Sequence, residues 1–434
     1  MIKRPTTWLV VALALAFARP AEARNYQNYP IGERAAGIGG AYIGIADDAS
    51  GAYHNPAGLA LAGYNQFSLT GTVYGYSRTR YENVAIFGAD GTSGSLETFY
   101  ANPNFFGTVY RLDRADDAAP TFAFSIVTPD FSVTHSQLDL EGGVVTAASD
   151  ERVQTYWFGP SYARRLSKTA ALGATAYGLF GQEQYDSQWS GKIGPDELDV
   201  LDDRIRLMGF SSEDRQTLGV LACVGLLAHW KDARLGLVAR SPSAQVWGKG
   251  RYLFESLSTY QGQTFDDDAN TKFAPRRVEP AMLGAGASYA LGPVVLAADA
   301  KYHTAASYDD ADKSSVKQKI ELRPVVNVNL GAEWSVNRTV ALRGGFYTNE
   351  SALRADPAND TPAIDMNGLT AGVGILHKQT TLNASINYNW GSGETFVDSL
   401  SVENGDIVTT SRRIDITVEA TNIVLSTTYR FGAR

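Results

Sequence analysis

The feature that most constrains the fold is an alternation of apolar and polar residues with a period of two, which runs from Gln66 to the end of the chain. It is clearest over residues 294–303, 326–334 and 381–390. The last of these has one apolar set, namely Leu382, Ala384, Ile386, Tyr388 and Trp390, with Thr, Asn and Ser between them. Successive side chains of a β-strand point to opposite faces, so the pattern predicts strands with one apolar and one polar face.

Aromatic residues end the apolar face of each of these strands, at Tyr302, Trp334 and Trp390. Membrane-spanning barrels place Trp and Tyr at the membrane–water interface. A soluble sandwich also alternates, but its apolar faces have no need to end in aromatic residues. The pattern therefore favours a transmembrane barrel over a large soluble domain.

Counting such segments predicts about fourteen strands, and the connections between them differ systematically in length. The short connections are residues 167–169, 231–233, 291–293 and 336–338. The long ones are residues 82–103, 189–216, 251–276, 350–365 and 391–411. Tight turns on one side and long loops on the other are typical of an all-β antiparallel outer-membrane barrel. An even strand count lets the first and last strands pair, and the resulting lumen is too wide for wall side chains alone to fill.

The first residues predict export. Lys3 and Arg4 precede an apolar run of eleven residues, 8–18, and Ala21-Glu22-Ala23 has the small-x-small pattern of a cleavage site. The run is too short for a membrane helix, which needs about 20 residues. The alternative is a buried N-terminal helix. We predict a cleaved signal peptide over residues 1–23 and a location in the outer membrane of a Gram-negative cell.

Composition excludes several function classes. The formal charge is −8, and residues 1–23 carry three basic and one acidic side chain, so the remaining chain has a charge of −10. A basic surface for nucleic acid is therefore not expected. Cys223 is the single cysteine, so there is no internal disulfide, and the five histidines lack metal-ligand spacing. We expect no enzyme activity, no cofactor and no metal.

Residues 32–58 are rich in Gly and Ala and do not alternate. A segment of this kind either lines the periplasmic face or folds inside the lumen. Inside the lumen, Arg34, Asp47 and Asp48 would be buried and would need partners. We predict a hatch over residues 24–63 and a barrel over residues 64–434.

This N-terminal segment resembles the hatch of the FadL family of outer-membrane transporters for long-chain fatty acids and hydrocarbons. The matching runs are Gly32-x-Arg34-Ala35, Gly39-Gly40-Ala41, Ala46-Asp47-Asp48-Ala49 and Asn55-Pro56-Ala57. Weaker matches are Thr128-Pro129, Arg240-Ser241-Pro242 and the run from Leu342 to Tyr347. The resemblance implies a 14-stranded barrel plugged by its hatch. It also implies that Gly32, Arg34, Gly40, Asp47, Asp48, Asn55, Pro56 and Ala57 hold or gate the hatch.

Uptake by lateral diffusion is what the resemblance implies. A long-chain fatty acid or similar hydrophobic ligand enters from outside, moves the hatch and leaves sideways into the bilayer, where Thr128 and Pro129 kink the third strand. A proline cannot donate to the strand ladder, which suits such a break, although an ordinary bulge explains it as well. The expected surroundings are outer-membrane lipid and lipopolysaccharide, and the expected state is a monomer.

Two further groups are candidates for ligand contact. Leu198, Leu201, Ile205 and Met208 recur at helical spacing in the predicted loop 189–216. They predict a short helix that either caps the barrel mouth or receives a lipid-like ligand. Asp299, Lys301 and His303 share a predicted lumen face, where they either solvate the channel or form a head-group site.

Two other functions stay open at this point. A related group of proteins with a similar Gly-rich N-terminus and Asn-Pro-Ala run serves as a partner in protein secretion, which makes a secretion-system scaffold the main alternative. The other is a non-specific aqueous porin. The chain also departs from the family at its end, because Phe431 is followed by Gly-Ala-Arg.

Overall fold

The computed structural model describes most of the chain after the predicted signal peptide. The described residues are 25–84, 92–113, 116, 118–140, 144–194, 196, 203–311, 317–354, 362–403 and 406–432. The predicted signal peptide, residues 1–23, lies outside them. Within the described part, no helix has the length and apolar character needed to cross a membrane.

The described residues form three short helices followed by strands. The helices are α1 (Glu33–Gly37), α2 (Gly51–His54) and a 3₁₀ helix (Pro56–Leu61). The first strands are β1 (Asn65–Val84), β2 (Thr92–Arg111), β3 (Thr121–Leu140), β4 (Val145–Arg165), β5 (Ala170–Ile193), β6 (Ile205–His229), β7 (Ala233–Arg240), β8 (Ala244–Tyr260) and β9 (Gln263–Phe273). The others are β10 (Met282–Leu291), β11 (Val294–His303), β12 (Ala306–Ala311), β13 (Lys317–Leu322), β14 (Val325–Ser335), β15 (Val340–Asn349), β16 (Ala363–His377), β17 (Thr380–Glu403) and β18 (Asp406–Phe431).

Fourteen of the described strands close into an antiparallel barrel, which confirms the predicted fold. They are β1 to β7, β10, β11 and β14 to β18. The first strand pairs with the last from Asn65 opposite Phe431 onward, so the wall has no free edge there. Strand β6 pairs with β7 near its end and with β8 over its beginning, so that the β8–β9 hairpin extends the wall. Strands β12 and β13 form a separate hairpin.

Side-chain burial shows that the barrel is apolar outside and polar inside. On β14, Asn327 and Asn329 are fully buried, whereas Leu330, the residue after Asn329, is 48% exposed. On β17, Asn387 is fully buried and its neighbour Ile386 is 48% exposed. A soluble protein would bury the leucine and isoleucine. Polar side chains that are buried and apolar side chains that are exposed are the arrangement of a barrel whose outer face contacts lipid.

Several predicted loops are strands in the structure. Residues 82–103, 189–216 and 391–411 largely continue the strands on either side of them, and β5 and β6 stay paired as far as Ile193 opposite Ile205. The predicted loop 251–276 contains most of the β8–β9 hairpin. Outside the membrane both faces of a strand contact water, so apolar and polar residues no longer alternate although the backbone pairing continues. A prediction from alternation alone therefore ends these strands too early.

Two predicted strands are each interrupted by a proline. Alternation predicts one strand over residues 234–250 and another over residues 316–335, but the chain divides into β7 and β8 at Pro242 and, among the described residues, into β13 and β14 at Pro324. Proline has no backbone N–H to donate to a ladder, which explains both breaks.

The predicted helix in the loop 189–216 is wrong over its described part. Leu198 and Leu201 lie outside the described residues. Ile205 and Met208 belong to β6. Because their spacing of three residues puts them on opposite faces of a strand, Ile205 is buried and Met208 is 55% exposed. Pairing with β5 satisfies the backbone here, so the spacing of the apolar residues does not reflect a helix.

Candidate functional site

The described residues that precede β1, from 25 to 64, pack inside the barrel against its wall. Small side chains let this hatch approach the wall: Ala35, Ala41, Ala52 and Ala57 are fully buried. The wall also has small residues at the points of contact. A Cβ added to Gly345 of the wall would lie 2.3 Å from the carbonyl carbon of Ile38 in the hatch. Close backbone packing of this kind needs glycine and alanine on both surfaces. The Gly- and Ala-rich composition of the hatch is thus explained by its place inside the barrel.

The Asn55-Pro56-Ala57 run anchors the hatch to β6. The Asn55 side-chain amide donates to the carbonyl oxygens of Ile43, within the hatch, and of Leu226, on β6, at 3.0 and 3.1 Å. Its side-chain oxygen accepts from the Ala57 amide at 3.2 Å and so caps the 3₁₀ helix. Pro56 begins this helix, a position that needs no N–H.

An alternating ion-pair network joins the hatch to the wall near the short turns of the barrel. Arg34 pairs with Asp47 at 2.5 Å and with Glu333 of β14 at 2.9 Å. Glu333 also pairs with Arg343 of β15 at 2.6 Å, and Asp47 with Arg234 of β7 at 2.9 Å. The predicted need of Arg34 and Asp47 for partners is met in this way. The wall residues were not singled out from the sequence, although alternation already placed Glu333 on a polar face.

Asp48, Gly32 and Gly40 serve the internal structure of the hatch. Asp48 accepts hydrogen bonds from the Tyr42 hydroxyl at 2.5 Å and from the Ser50 amide at 2.9 Å. Gly32 has a φ of 99°, and a Cβ there would lie 2.5 Å from the Cβ of Ser50. Gly40 has a φ of 72°. Both glycines therefore occupy conformations that side chains disfavour.

Strand β11 presents Asp299, Lys301 and His303 to the lumen, as alternation predicts. The Asp299 carboxylate accepts from the Tyr42 and Ile43 amides at 2.6 and 2.8 Å. Lys301 donates to the Gln27 side chain at 2.7 Å, and the His303 ring stacks on Tyr26 with 4.1 Å between centroids. All three thus hold the hatch, and only Lys301 brings a full positive charge to the lumen.

The third strand is irregular at Thr128 and Pro129. The pairing of β3 with β4 shifts between Val127 and Asp130, so one extra residue bulges out of β3. Among the described residues, the ladder between β2 and β3 ends at Phe105 opposite Val127. Beyond that pair the described residues of β2 and β3 have no backbone pairing, and side-chain groups join them instead: the Thr128 hydroxyl donates to the Pro103 carbonyl oxygen at 3.1 Å, and the His135 amide donates to the Thr98 hydroxyl at 3.3 Å. We call this opening between β2 and β3 the wall gap.

A hatch side chain bridges the wall gap. The Tyr29 hydroxyl donates to the Thr128 carbonyl oxygen at 2.7 Å and accepts from the Asn102 side-chain amide of β2 at 2.9 Å. The neighbouring Asn28 donates to Asp130 at 3.1 Å. Tyr29, Asn28 and Asn102 were not identified from the sequence, because no motif marks them. The hatch therefore adds hydrogen bonds to both strands at a place where β2 and β3 lack backbone pairing.

A cavity of about 30 Å³ lies beside the N-terminal part of the hatch, lined by Tyr26, Gln27, Tyr29, Ile31, His54, Arg240, Lys301 and His303 among others. The Arg240 guanidinium lies between the rings of Tyr53 and Trp157, 4.8 and 4.7 Å from their centroids. No described carboxylate lies within ion-pair distance of Arg240 or Lys301. The cavity therefore brings together the buried cation of Arg240, the half-buried cation of Lys301 and aromatic rings.

His54 adds no charge to this cavity. Burial, reinforced by the nearby Lys301, lowers the pKa of His54 to about 3. The ring is therefore neutral near pH 7, and its Nε2 donates to the Ile31 carbonyl oxygen at 2.8 Å. The positive potential of the cavity comes from Arg240 and Lys301.

Solved structures with a similar fold are known. No protein-family model matches the sequence, and no curated protein matches it. The toluene transporter TodX of Pseudomonas putida superposes with a TM-score of 0.62 at 14% identity, covering 93% of this chain and 99% of TodX. A FadL homologue of Pseudomonas aeruginosa gives a TM-score of 0.60 at 16% identity, covering 96% and 99%. The chain has the FadL-type fold.

Other FadL-type barrels of similar size agree with this assignment. The toluene transporter TbuX of Ralstonia pickettii has a TM-score of 0.58 at 16% identity and covers 94% of this chain and 100% of its own. The FadL-type structures are those of channels and transporters, not enzymes, in accord with the lack of catalytic motifs in the sequence. The FadL-type fold with its apolar outer face is that of an outer-membrane protein.

Proposed function

We propose that this FadL-type barrel takes up long-chain fatty acids or similar hydrophobic compounds by hatch-gated lateral diffusion. The observation that carries the proposal is the wall gap between β2 and β3, bridged by Tyr29 of the hatch. We propose further that the chain acts as a monomer among lipopolysaccharide, after removal of residues 1–23.

A side exit suits an apolar ligand. Moving an acyl chain into water costs about 0.8 kcal/mol for each CH₂ group, so a ligand that leaves through the wall into lipid avoids most of this cost. The wall gap begins where Thr128 and Pro129 bulge from β3. Side chains alone close it within the described structure, and side chains move more readily than a continuous ladder.

The cations beside the hatch favour a ligand with an anionic head. Arg240 is buried and Lys301 half-buried, both without a carboxylate partner among the described residues, and removing an unpaired charge from water is unfavourable. A fatty acid carboxylate would supply the missing partner through charge-assisted hydrogen bonds. The rings of Tyr53 and Trp157 provide apolar surface next to it.

Ligand entry requires the hatch to move. A cavity of about 30 Å³ has room for roughly one water molecule, whereas ligand pockets usually measure roughly 300–1,000 Å³. The segment that must give way includes Tyr26 and Gln27, which line the cavity beside Tyr29. Displacing it withdraws the Tyr29 hydroxyl from Thr128. The same movement of the hatch thus makes room for the ligand and opens the wall gap.

Deletion of residues 25–63 tests the proposal. The barrel without its hatch is expected to conduct small polar solutes and to lose saturable uptake of fatty acid. Saturable uptake that persists unchanged after the deletion would overturn the hatch mechanism. An intact protein with the conductance of an open pore would instead support the aqueous porin, and stable co-purification of a secreted protein would support the secretion scaffold. No described feature favours either alternative.

A further inference from the structure

A chain of ion pairs crosses the outer part of the lumen above the hatch. Its members are, in order, Asp310 of β12, Arg215 of β6, Glu183 of β5, Arg277 between β9 and β10, and Asp130 of β3. The distances along the chain are 2.7, 3.8, 2.8 and 2.5 Å. None of these residues was singled out from the sequence. The ion-pair chain links five segments that are remote in sequence.

One end of the ion-pair chain lies on the β12–β13 hairpin, which continues from the outer end of β11. Asp310 accepts from Arg215 and, through its other oxygen, from the Arg276 amide at 2.7 Å. The hairpin packs by its apolar side on the hatch and on the segment before β10, through a cluster that includes Tyr308, Leu322, Tyr26 and Val278. We call the two described strands of this hairpin, Ala306–Ala311 and Lys317–Leu322, the lid.

The other end of the ion-pair chain lies at the wall gap. Asp130 follows Pro129 directly and begins the regular pairing of β3 with β4 beyond the bulge. It accepts from Arg277 and also from Asn28 of the hatch. Arg277 in addition pairs with Glu279 at 3.3 Å, so its guanidinium holds three carboxylates at once. A buried arginine in such a position fixes the carboxylates around it.

We propose that Arg277 is a positioning residue that couples the lid to the wall gap. Arg215 and Arg277 share Glu183, each bound to a different oxygen of its carboxylate. When the lid lifts and Asp310 leaves Arg215, the Arg215 guanidinium keeps Glu213, at 2.6 Å, and Glu183 as its carboxylate partners, and it draws Glu183 closer and away from Arg277. Arg277 then holds Asp130 less firmly, and the bulge of β3 is released. The role of this coupling in uptake rests on the proposed function, but the coupling itself requires no ligand.

Hydrogen exchange at the wall gap tests the coupling on the full chain, read by mass spectrometry without ligand. Asp310→Asn removes the lid end of the ion-pair chain and touches no residue of β3. It is expected to speed exchange over residues 127–133 about five-fold, a size typical of the energetic coupling between residues of one ion-pair network. In the Arg277→Gln background the same substitution should add nothing, since the link is already cut. A role confined to local structure would not produce this non-additivity.

Asp309→Asn is the matched control, because Asp309 is the preceding residue on the lid and is exposed. It should leave residues 127–133 unchanged. Faster exchange in the lid alone after Asp310→Asn would overturn the proposal, and so would additive effects of Asp310→Asn and Arg277→Gln. Arg215→Lys, which keeps the charge, serves if Asp310→Asn does not yield a heat-modifiable barrel, and it should give a smaller increase over the same residues. Failure of fatty acid uptake would count against the proposed function and leave these exchange results standing.

Discussion

The Tyr29 hydroxyl donates a hydrogen bond of 2.7 Å to the backbone carbonyl oxygen of Thr128, in the bulge of β3. The donor belongs to the hatch and the acceptor to the wall, at the point where the wall lacks a ladder hydrogen bond. Opening of the wall and movement of the hatch are therefore joined at this contact, next to which Asn28 of the hatch donates to Asp130.

Tyr29→Phe is expected to weaken closure of the wall gap. The substitution removes the hydroxyl that joins Thr128 to Asn102 and keeps the ring. A net contribution of about 1 kcal/mol per hydrogen bond corresponds to a roughly five-fold rise in the open population. Initial uptake of fatty acid at low concentration should rise by a similar factor. Tyr110→Phe, at an outward position of β2, is the control, and equal rates in all three proteins would contradict the prediction.

Deletion of Pro129 is expected to close the wall. It removes the extra residue between Val127 and Asp130, which allows β3 to pair in one register with β4 and to approach β2. Uptake should fall about ten-fold or more, while binding of fatty acid to the purified protein, followed by isothermal calorimetry, should persist. Unchanged uptake would show that the bulge has no part in the exit.

Arg240→Gln is expected to reduce the affinity for fatty acids selectively. Hydrogen bonds to a charged group contribute about 1.5–3 kcal/mol, so the dissociation constant should rise roughly ten-fold or more. Binding of a neutral hydrocarbon such as toluene should change little. Lys249→Gln, which alters an exposed cation of β8, provides the control. A parallel loss for both ligands would mean that Arg240 acts through packing.

Asp47→Asn is expected to loosen the hatch without unfolding the barrel. Asp47 joins Arg34 to Arg234, and its side chain is 23% exposed, so solvent screening keeps the effect to about 1 kcal/mol. Brief openings should appear in single-channel recordings at several times the wild-type frequency. Asp232→Asn, in an exposed turn beside Arg234, should record like the wild type. If neither variant shows such openings, the ion pairs of Asp47 are not what holds the hatch in place.

The spanning strands are predictable from the sequence because lipid and lumen demand opposite polarity on the two faces. Residues 381–390 show this: Ile386 contacts the outside and Asn387 the lumen, as their alternation requires. Beyond the membrane this demand ends, and the spacing of the apolar residues at the beginning of β6 predicts a helix where the structure has a strand. Its paired partner, not its own residue spacing, decides its conformation.

The contacts of the hatch are not predictable in the same way. Composition allows the hatch to line the periplasmic face as well as the lumen, and only the resemblance to the FadL family placed it inside. Its decisive partners are distant in sequence: Arg34 binds Glu333, and Tyr29 binds Asn102. A single polar side chain on a strand carries no periodic pattern that identifies its partner. The bulge was indicated by Pro129, but the phenol that bridges the wall gap was not.

Photocrosslinking with a fatty acid that carries a diazirine near its methyl end tests lateral exit most directly. The protein in lipid bilayers is loaded from the outer side, irradiated during uptake and digested for mass spectrometry. The account predicts labels on both borders of the wall gap, in residues 99–106 of β2 and 126–133 of β3, and fewer labels after deletion of Pro129. Labels concentrated on the network of Arg34, Asp47 and Arg234, with none at the wall gap, would show that the ligand leaves along the barrel axis and would contradict the account.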